Sequence, residues 1–196
     1  MSPLYHTTQH LLTLIAGLGS NCPEPYFTET RNETVDGLKM MSVVVGANAA
    51  NKAAAPDKLR VMLTFGTHGR EYFASQVALK FLTTLCDGSD RSKNILNNVA
   101  FAIFPVFNPS GRTRTDADDA RGVRTTYLSD QTCTDRRKNA NLVDINRNFD
   151  VAWSMSTGSS GYGTDDDYRG PSAMSEVEPN TANKLRADWQ PDMCAT

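Results

Sequence analysis

Apolar residues along this chain recur with two periods, and the way the two alternate predicts its elements. Leu11, Leu14, Ile15 and Leu18 fall at helical spacing and predict an amphipathic first helix. A polar stretch, Asn21 to Asp36, follows. Leu38 to Val45 is rich in Met and Val, ends at Gly46 and reads as a strand. Asn48 to Asp57 is an Ala/Asn loop. Leu59 to Phe65 is a second strand, mostly apolar and therefore central in a sheet. Glu71 to Cys86 is helical, with Phe73, Val77, Phe81 and Leu82 on one period and Gly88 just past the end. Val99 to Phe107 is a third apolar strand. Strand, helix, strand in this order is a βαβ unit, which implies parallel strands and an α/β fold.

From Asn108 to Arg169 the periodicity fades and charge density rises. So long an irregular segment inside a compact domain is usually functional. Ser175-Glu176-Val177-Glu178 fits a capping box, with Ser175 as the cap and Glu178 at the third helical position. Pro179 then lies in the first turn, where a missing N–H does least harm. That helix is expected to run to about Trp189, and Pro191 to Thr196 reads as the start of another strand.

Composition narrows the class. The 196 residues correspond to about one domain. At 39% hydrophobic and 21% charged, the chain has the balance of a globular protein rather than a disordered one. A net charge of −2 argues against a general nucleic-acid binder. No apolar run approaches the ~20 residues of a membrane-spanning helix. Leu11 to Leu18 lacks a preceding Lys or Arg, so it is not read as a signal peptide. Asn32-Glu33-Thr34 is a single glycosylation sequon and leans toward secretion. Cys22, Cys86, Cys133 and Cys194 include no CxxC pair, which speaks against a thiolate zinc cluster. They are compatible with free thiols or with up to two disulfides.

Two signals carry chemistry, the second made of two clusters. Gly66-Thr67-His68-Gly69-Arg70-Glu71 follows a buried strand and opens a helix, at the edge where open α/β folds place their sites. An imidazole at His68 and a carboxylate at Glu71 are both good zinc donors, and a strand–helix turn can aim them at one point. Arg136-Arg137-Lys138-Asn139 and Asp144-Ile145-Asn146-Arg147-Asn148-Phe149-Asp150 bring guanidinium forks suited to carboxylates and oxyanions.

With Asn108-Pro109-Ser110-Gly111, Trp153, Tyr168-Arg169-Gly170-Pro171 and Ser175-Glu176-Val177-Glu178, these segments stand in a fixed order from residue 67 to 178. In that order the chain resembles the zinc carboxypeptidases of the carboxypeptidase A type. The resemblance implies a mixed, largely parallel sheet with helices on both faces. It implies that His68 and Glu71 are two of three protein zinc ligands and that Arg70 borders the substrate's end. Arg137 would stabilise the oxyanion, and Asn146 and Arg147 would bind the free C-terminal carboxylate of a peptide. The implied enzyme is a monomer that releases C-terminal residues from peptides by metal-activated water.

The chain departs from the family in two respects. Ser110 stands where the family usually has Asp, in what reads as a turn. The family's third ligand is a His on the strand after the Ser-Glu-x-Glu helix, and no His follows His68 here. His6 and His10 lie at the N-terminus, where their i, i+4 spacing suits a metal or, more simply, an exposed helix face; they are on the wrong segment to complete the site. The family's substrate-covering Tyr and general-base Glu also have no counterpart. Residues 1–196 are therefore expected to be a catalytic domain cut before the third ligand. Such a piece would be inactive by itself and would expose an open sheet edge that favours aggregation. Two other readings stand beside this one: an aspartoacylase-like zinc deacylase, and a non-catalytic domain that binds C-terminal tails through Asn146 and Arg147.

Overall fold

The computed structural model describes residues 5–34, 36–49, 53, 55–121, 135–155 and 157–195. Among them are five strands, β1 (Tyr26–Glu33), β2 (Lys39–Val45), β3 (Leu59–Thr64), β4 (Val99–Phe104) and β5 (Met193–Ala195). They form one sheet in the order β1-β2-β4-β3-β5. β2 is antiparallel to β1 and β4, whereas β3 is parallel to β4 and β5. The sheet is mixed, and its parallel half is the βαβ unit read from the sequence. The helices are α1 (Thr8–Gly17), α2 (Tyr72–Leu85), α3 (Asp90–Asn98), α4 (Pro109–Ala120) and α5 (Val177–Trp189).

Side chains of β4 alternate between two apolar layers, as the two-residue period of a strand requires. Phe101 and Ile103 face a layer built with Leu11 and Ile15 of α1, Leu82 and Leu85 of α2 and Leu96 of α3. Ala100, Ala102 and Phe104 face the other layer, with Ala182, Leu185 and Trp189 of α5. Helices thus cover both faces. Ten residues are too few for α1 to be stable alone. Burying Leu11 and Ile15 completely contributes about 3–6 kcal/mol, enough to hold it. A Cys22–Cys86 disulfide ties the segment after α1 to the end of α2. Cys194 is a free, exposed thiol, and Cys133 lies outside the described residues.

Four elements differ from the sequence reading, and one of them, α3, has no counterpart in it. The polar stretch Asn21 to Asp36 contains β1, whose run Tyr-Phe-Thr-Glu-Thr-Arg-Asn-Glu reads as polar because it lies at the edge of the sheet. The segment after Asn108 begins not as irregular chain but as α4, with Asn108 as its cap and Pro109 in its first turn. Its buried positions are Pro109, Ser110, Gly111, Arg112, Thr115 and Asp118, so no apolar stripe marks it. Ser110 lies inside this helix rather than in a turn, and its hydroxyl donates to Asp36 Oδ1 at 2.7 Å. Ser175 does not cap α5. Its hydroxyl donates to the Glu176 carboxylate at 2.8 Å, and Glu176 takes the cap position. Glu178 is buried and accepts hydrogen bonds from Asn139 instead of reaching back to the cap. β5 begins where the sequence placed a last strand.

Candidate metal and carboxylate site

Beyond their last paired residues, β3 and β4 stay joined. Phe65 N–H donates to Phe104 O, Phe107 N–H to Phe65 O and Asn108 N–H to Gly66 O, at 2.8–3.1 Å. The turn carrying His68 and the turn starting α4 therefore leave the sheet side by side. Gly69 allows them to touch. A Cβ there would overlap the Gly111 carbonyl and come within 2.6 Å of the Arg112 amide nitrogen. Asn108, fully buried, closes the junction: its Nδ2 donates to Thr67 O and Arg137 O at 3.2 Å, and its Oδ1 accepts Gly111 N–H at 2.8 Å. Gly69 N–H also donates to Arg137 O at 3.3 Å. Three separate segments are thus pinned together by one amide and one close backbone contact.

His68 is 8% exposed, and Glu71 is at the cap of α2. His68 Nδ1 lies 2.7 Å from Glu71 Oε1, and His68 Nε2 lies 3.2 Å from Asp144 Oδ1. Asp144 is fully buried and uses both oxygens. Oδ1 also accepts Asn146 N–H at 3.0 Å, capping the 3-10 turn Ile145–Arg147, and Oδ2 accepts Arg137 Nε and Nη2 at 3.0 and 2.7 Å. With those two donors engaged, Arg137 directs Nη1 to within 3.3 Å of His68 Nδ1. One carboxylate therefore sets the imidazole, the arginine and the turn bearing Asn146 and Arg147.

Electrostatics follow from this geometry. Burial opposes charge on His68, but hydrogen bonds with Asp144 and Glu71 outweigh it and hold its pKa above the ordinary value. The hydrogen bond with His68 holds Glu71 below the usual carboxylate range. Burial alone would raise Asp144, but the bonds from His68 and Arg137 outweigh burial and lower it.

Arg147 borders a cleft of about 210 Å³ lined also by Asn146, Phe149, Trp153 and Gly158. Its Nη1 donates to Asn146 O at 3.3 Å, while its Nε is buried with no hydrogen-bond partner. Arg70 lies half-buried and makes a two-point ion pair with Asp166 at 3.1 and 3.2 Å.

Of the residues singled out by sequence, His68, Glu71 and Arg137 lie together, and Asn146 and Arg147 join them through Asp144. His6 and His10 stack edge to face with each other. Asp144, Asn108 and Asp166 were not singled out as site residues. Asp144 had a signal, since it opens the Asp-Ile-Asn-Arg run. Asp166 sits in a run of three acids that offers none. For a metal, the donor chemistry fits: a ligating His ordinarily gives its second nitrogen to a carboxylate, as Nε2 does to Asp144. Among the described residues, no group of three or more His, Cys, Asp or Glu is arranged to hold an ion.

A family model described as zinc carboxypeptidase matches residues 11–195. Carboxypeptidase B of Astacus astacus is 28% identical over 176 residues, covering 89% of this chain and 54% of its own length. Zinc carboxypeptidase A 1 of Drosophila melanogaster is 29% identical over 158 residues, covering 78% and 34% respectively. The chain therefore spans about half or less of the length of these curated relatives. Carboxypeptidase A from Helicoverpa armigera superposes with a TM-score of 0.76 at 23% identity, over 96% of this chain and 44% of that one. Thrombin-activatable fibrinolysis inhibitor gives 0.74 at 19%, over 96% and 45%. At these identities the superpositions establish the fold alone.

Proposed function

We propose that this chain, which belongs to the zinc carboxypeptidase family, supplies two zinc ligands and the substrate-carboxylate clamp of an enzyme that removes single residues from peptide C-termini. His68 through Nδ1 and Glu71 through Oε1 would hold the metal. When bound, zinc supplies Lewis acidity toward carbonyl and water oxygens. The remaining work falls to the chain's own side chains.

Asn146 and Arg147 take the terminal carboxylate. That Asn146 and Arg147, both side-chain donors, line one open cleft is the observation that carries this reading. A clamp of this kind selects a free C-terminus and holds the last peptide bond at a constant distance from the metal face. Arg137 offers Nη1 to the carbonyl oxygen as negative charge develops there, and Asp144 holds the guanidinium in place beforehand. Asp144 also fixes the imidazole, so the clamp, the arginine and the ligand share one reference point.

The test compares a short peptide bearing a free C-terminal carboxylate with its C-terminal amide, titrated against the metal-free chain and followed by NMR. The free acid is expected to shift the Asn146, Arg147 and Trp153 signals and the amide is not. Arg147→Met should weaken the acid about tenfold or more, the loss expected of a charge-assisted contact. Equal binding of acid and amide would overturn the reading.

A further inference from the structure

Arg70 and Arg137 both face one acidic side chain that neither the metal face nor the clamp uses. Each oxygen of Asp166 accepts one N–H from Arg70, at 3.1 and 3.2 Å, and Asp166 Oδ2 lies 3.7 Å from Arg137 Nε. The Asp166 side chain is still 43% exposed. A carboxylate has about four lone-pair sites, so two remain for a donor arriving from solvent. Its exposed neighbour Asp165 accepts the Ser160 hydroxyl at 2.6 Å.

The loop bearing Asp166 is built rather than loose. Ser160 and Tyr168 bridge its two ends, and the buried Lys138 donates to Gly163 O at 2.9 Å. It starts at Gly158 and Ser159 in the clamp cleft and returns at Asp166 beside Arg70 and Arg137. A peptide with its last peptide bond beside Arg137 would bring the residue before that bond near Asp166, whose Oδ2 lies 3.7 Å from Arg137 Nε.

We infer that Asp166 sets the charge preference for the residue that precedes the bond to be cut, favouring a basic side chain and disfavouring an acidic one. This rests on the peptide-terminus reading above. With Asp166 in place, Arg70 already has a carboxylate, and an acidic substrate side chain meets a like charge instead of a free fork. A lysine or arginine finds the two open lone pairs. Without Asp166 the attraction for a basic side chain and the repulsion of an acidic one are both lost, and the preference is expected to vanish.

The experiment uses three peptides that differ at one position: N-acetyl-Ala-Lys-Phe, N-acetyl-Ala-Ala-Phe and N-acetyl-Ala-Glu-Phe, each with a free C-terminus. Dissociation constants are measured by NMR on the chain with a chelator present, so that no cleavage intervenes. The lysine peptide is expected to bind about tenfold tighter than the glutamate peptide, the sum of one attraction and one repulsion between partly exposed charges. Asp166→Asn should bring the order to equality while leaving the alanine peptide within about twofold. Asp166→Glu should restore the original order. If Asp166→Asn weakens all three equally, or leaves the lysine-to-glutamate ratio unchanged, the inference is overturned and Asp166 is only a loop anchor. If the wild-type chain binds none of the three in preference to their amides, the peptide-terminus reading itself fails and this inference with it.

Discussion

Glu178 offers a test that runs through the core rather than the site. It is 1% exposed, in the first turn of α5, and accepts hydrogen bonds from Asn139 Nδ2 at 3.1 and 3.3 Å. The same Nδ2 serves Glu176 at 2.8 Å. Burial, with Glu176 nearby, pushes the Glu178 carboxyl up to about 7 from an ordinary value of 4.5. Below pH 4.5 both the native and the unfolded chain hold this proton, and it contributes nothing to pH dependence. Between pH 4.5 and 7 the native state keeps the proton that the unfolded chain has lost, so stability falls as pH rises. Each pH unit costs about 1.4 kcal/mol, which makes about 3 kcal/mol across the window. Above pH 7 both states are ionised and the loss is constant. Glu178→Gln keeps an acceptor for Asn139 and cannot ionise. Urea unfolding from pH 4 to 8.5 should show the variant near wild type at pH 4, gaining steadily to pH 7, then level at about 3 kcal/mol. A Glu178 carboxyl titration followed by carbon NMR should give the same midpoint without any unfolding. A difference that stays flat with pH, or stability that rises through this window only in the wild type, would refute the reasoning.

Three further outcomes follow from packing and from the disulfide. Gly69→Ala drives a methyl into the backbone of Gly111 and Arg112, where no flexible side chain can yield, and should cost about 3 kcal/mol in urea unfolding. Gly17→Ala, at the end of α1 with nothing within 4 Å, serves as the control and should stabilise by about 0.5 kcal/mol. Reducing Cys22–Cys86, which closes a 64-residue separation, should lower stability by about 4 kcal/mol in the chain-entropy account, measured with and without reductant.

The elements that sequence showed plainly were those whose stability comes from apolar burial. β2, β3, β4 and α2 each carry a run or stripe of apolar residues, and β5 was visible as the stretch beyond a helix that ends near Pro191. α4 was not legible because its buried face is polar. Ser110 bonds to Asp36, Thr115 to Gly111 O and Asp118 to Arg136, contacts whose partners lie elsewhere in the chain or within the turn itself. Asn108 before Pro109 was a start signal, but with no periodic stripe behind it the pair read as a turn. α3 has only Leu96 fully buried among its apolar residues, too little for a pattern. In the site, His68 and Glu71 were legible because three residues separate them. The contact between Asp144 and His68 spans 76 residues, and that between Arg70 and Asp166 spans 96. Such pairings depend on how the loops cross, and no local spacing encodes that.

Asp144 has one more consequence. Because a single buried carboxylate serves His68, Arg137 and the turn before Arg147, these functions cannot be adjusted one at a time at that position. Any residue that replaces it changes all three at once, so on the proposed function any variation that tunes affinity or selectivity would have to come from the rim, at positions such as Asp166 or the walls of the Arg147 cleft. A library built to diversify this scaffold would therefore hold residue 144 constant and place its variety along the loop from Gly158 to Asp167.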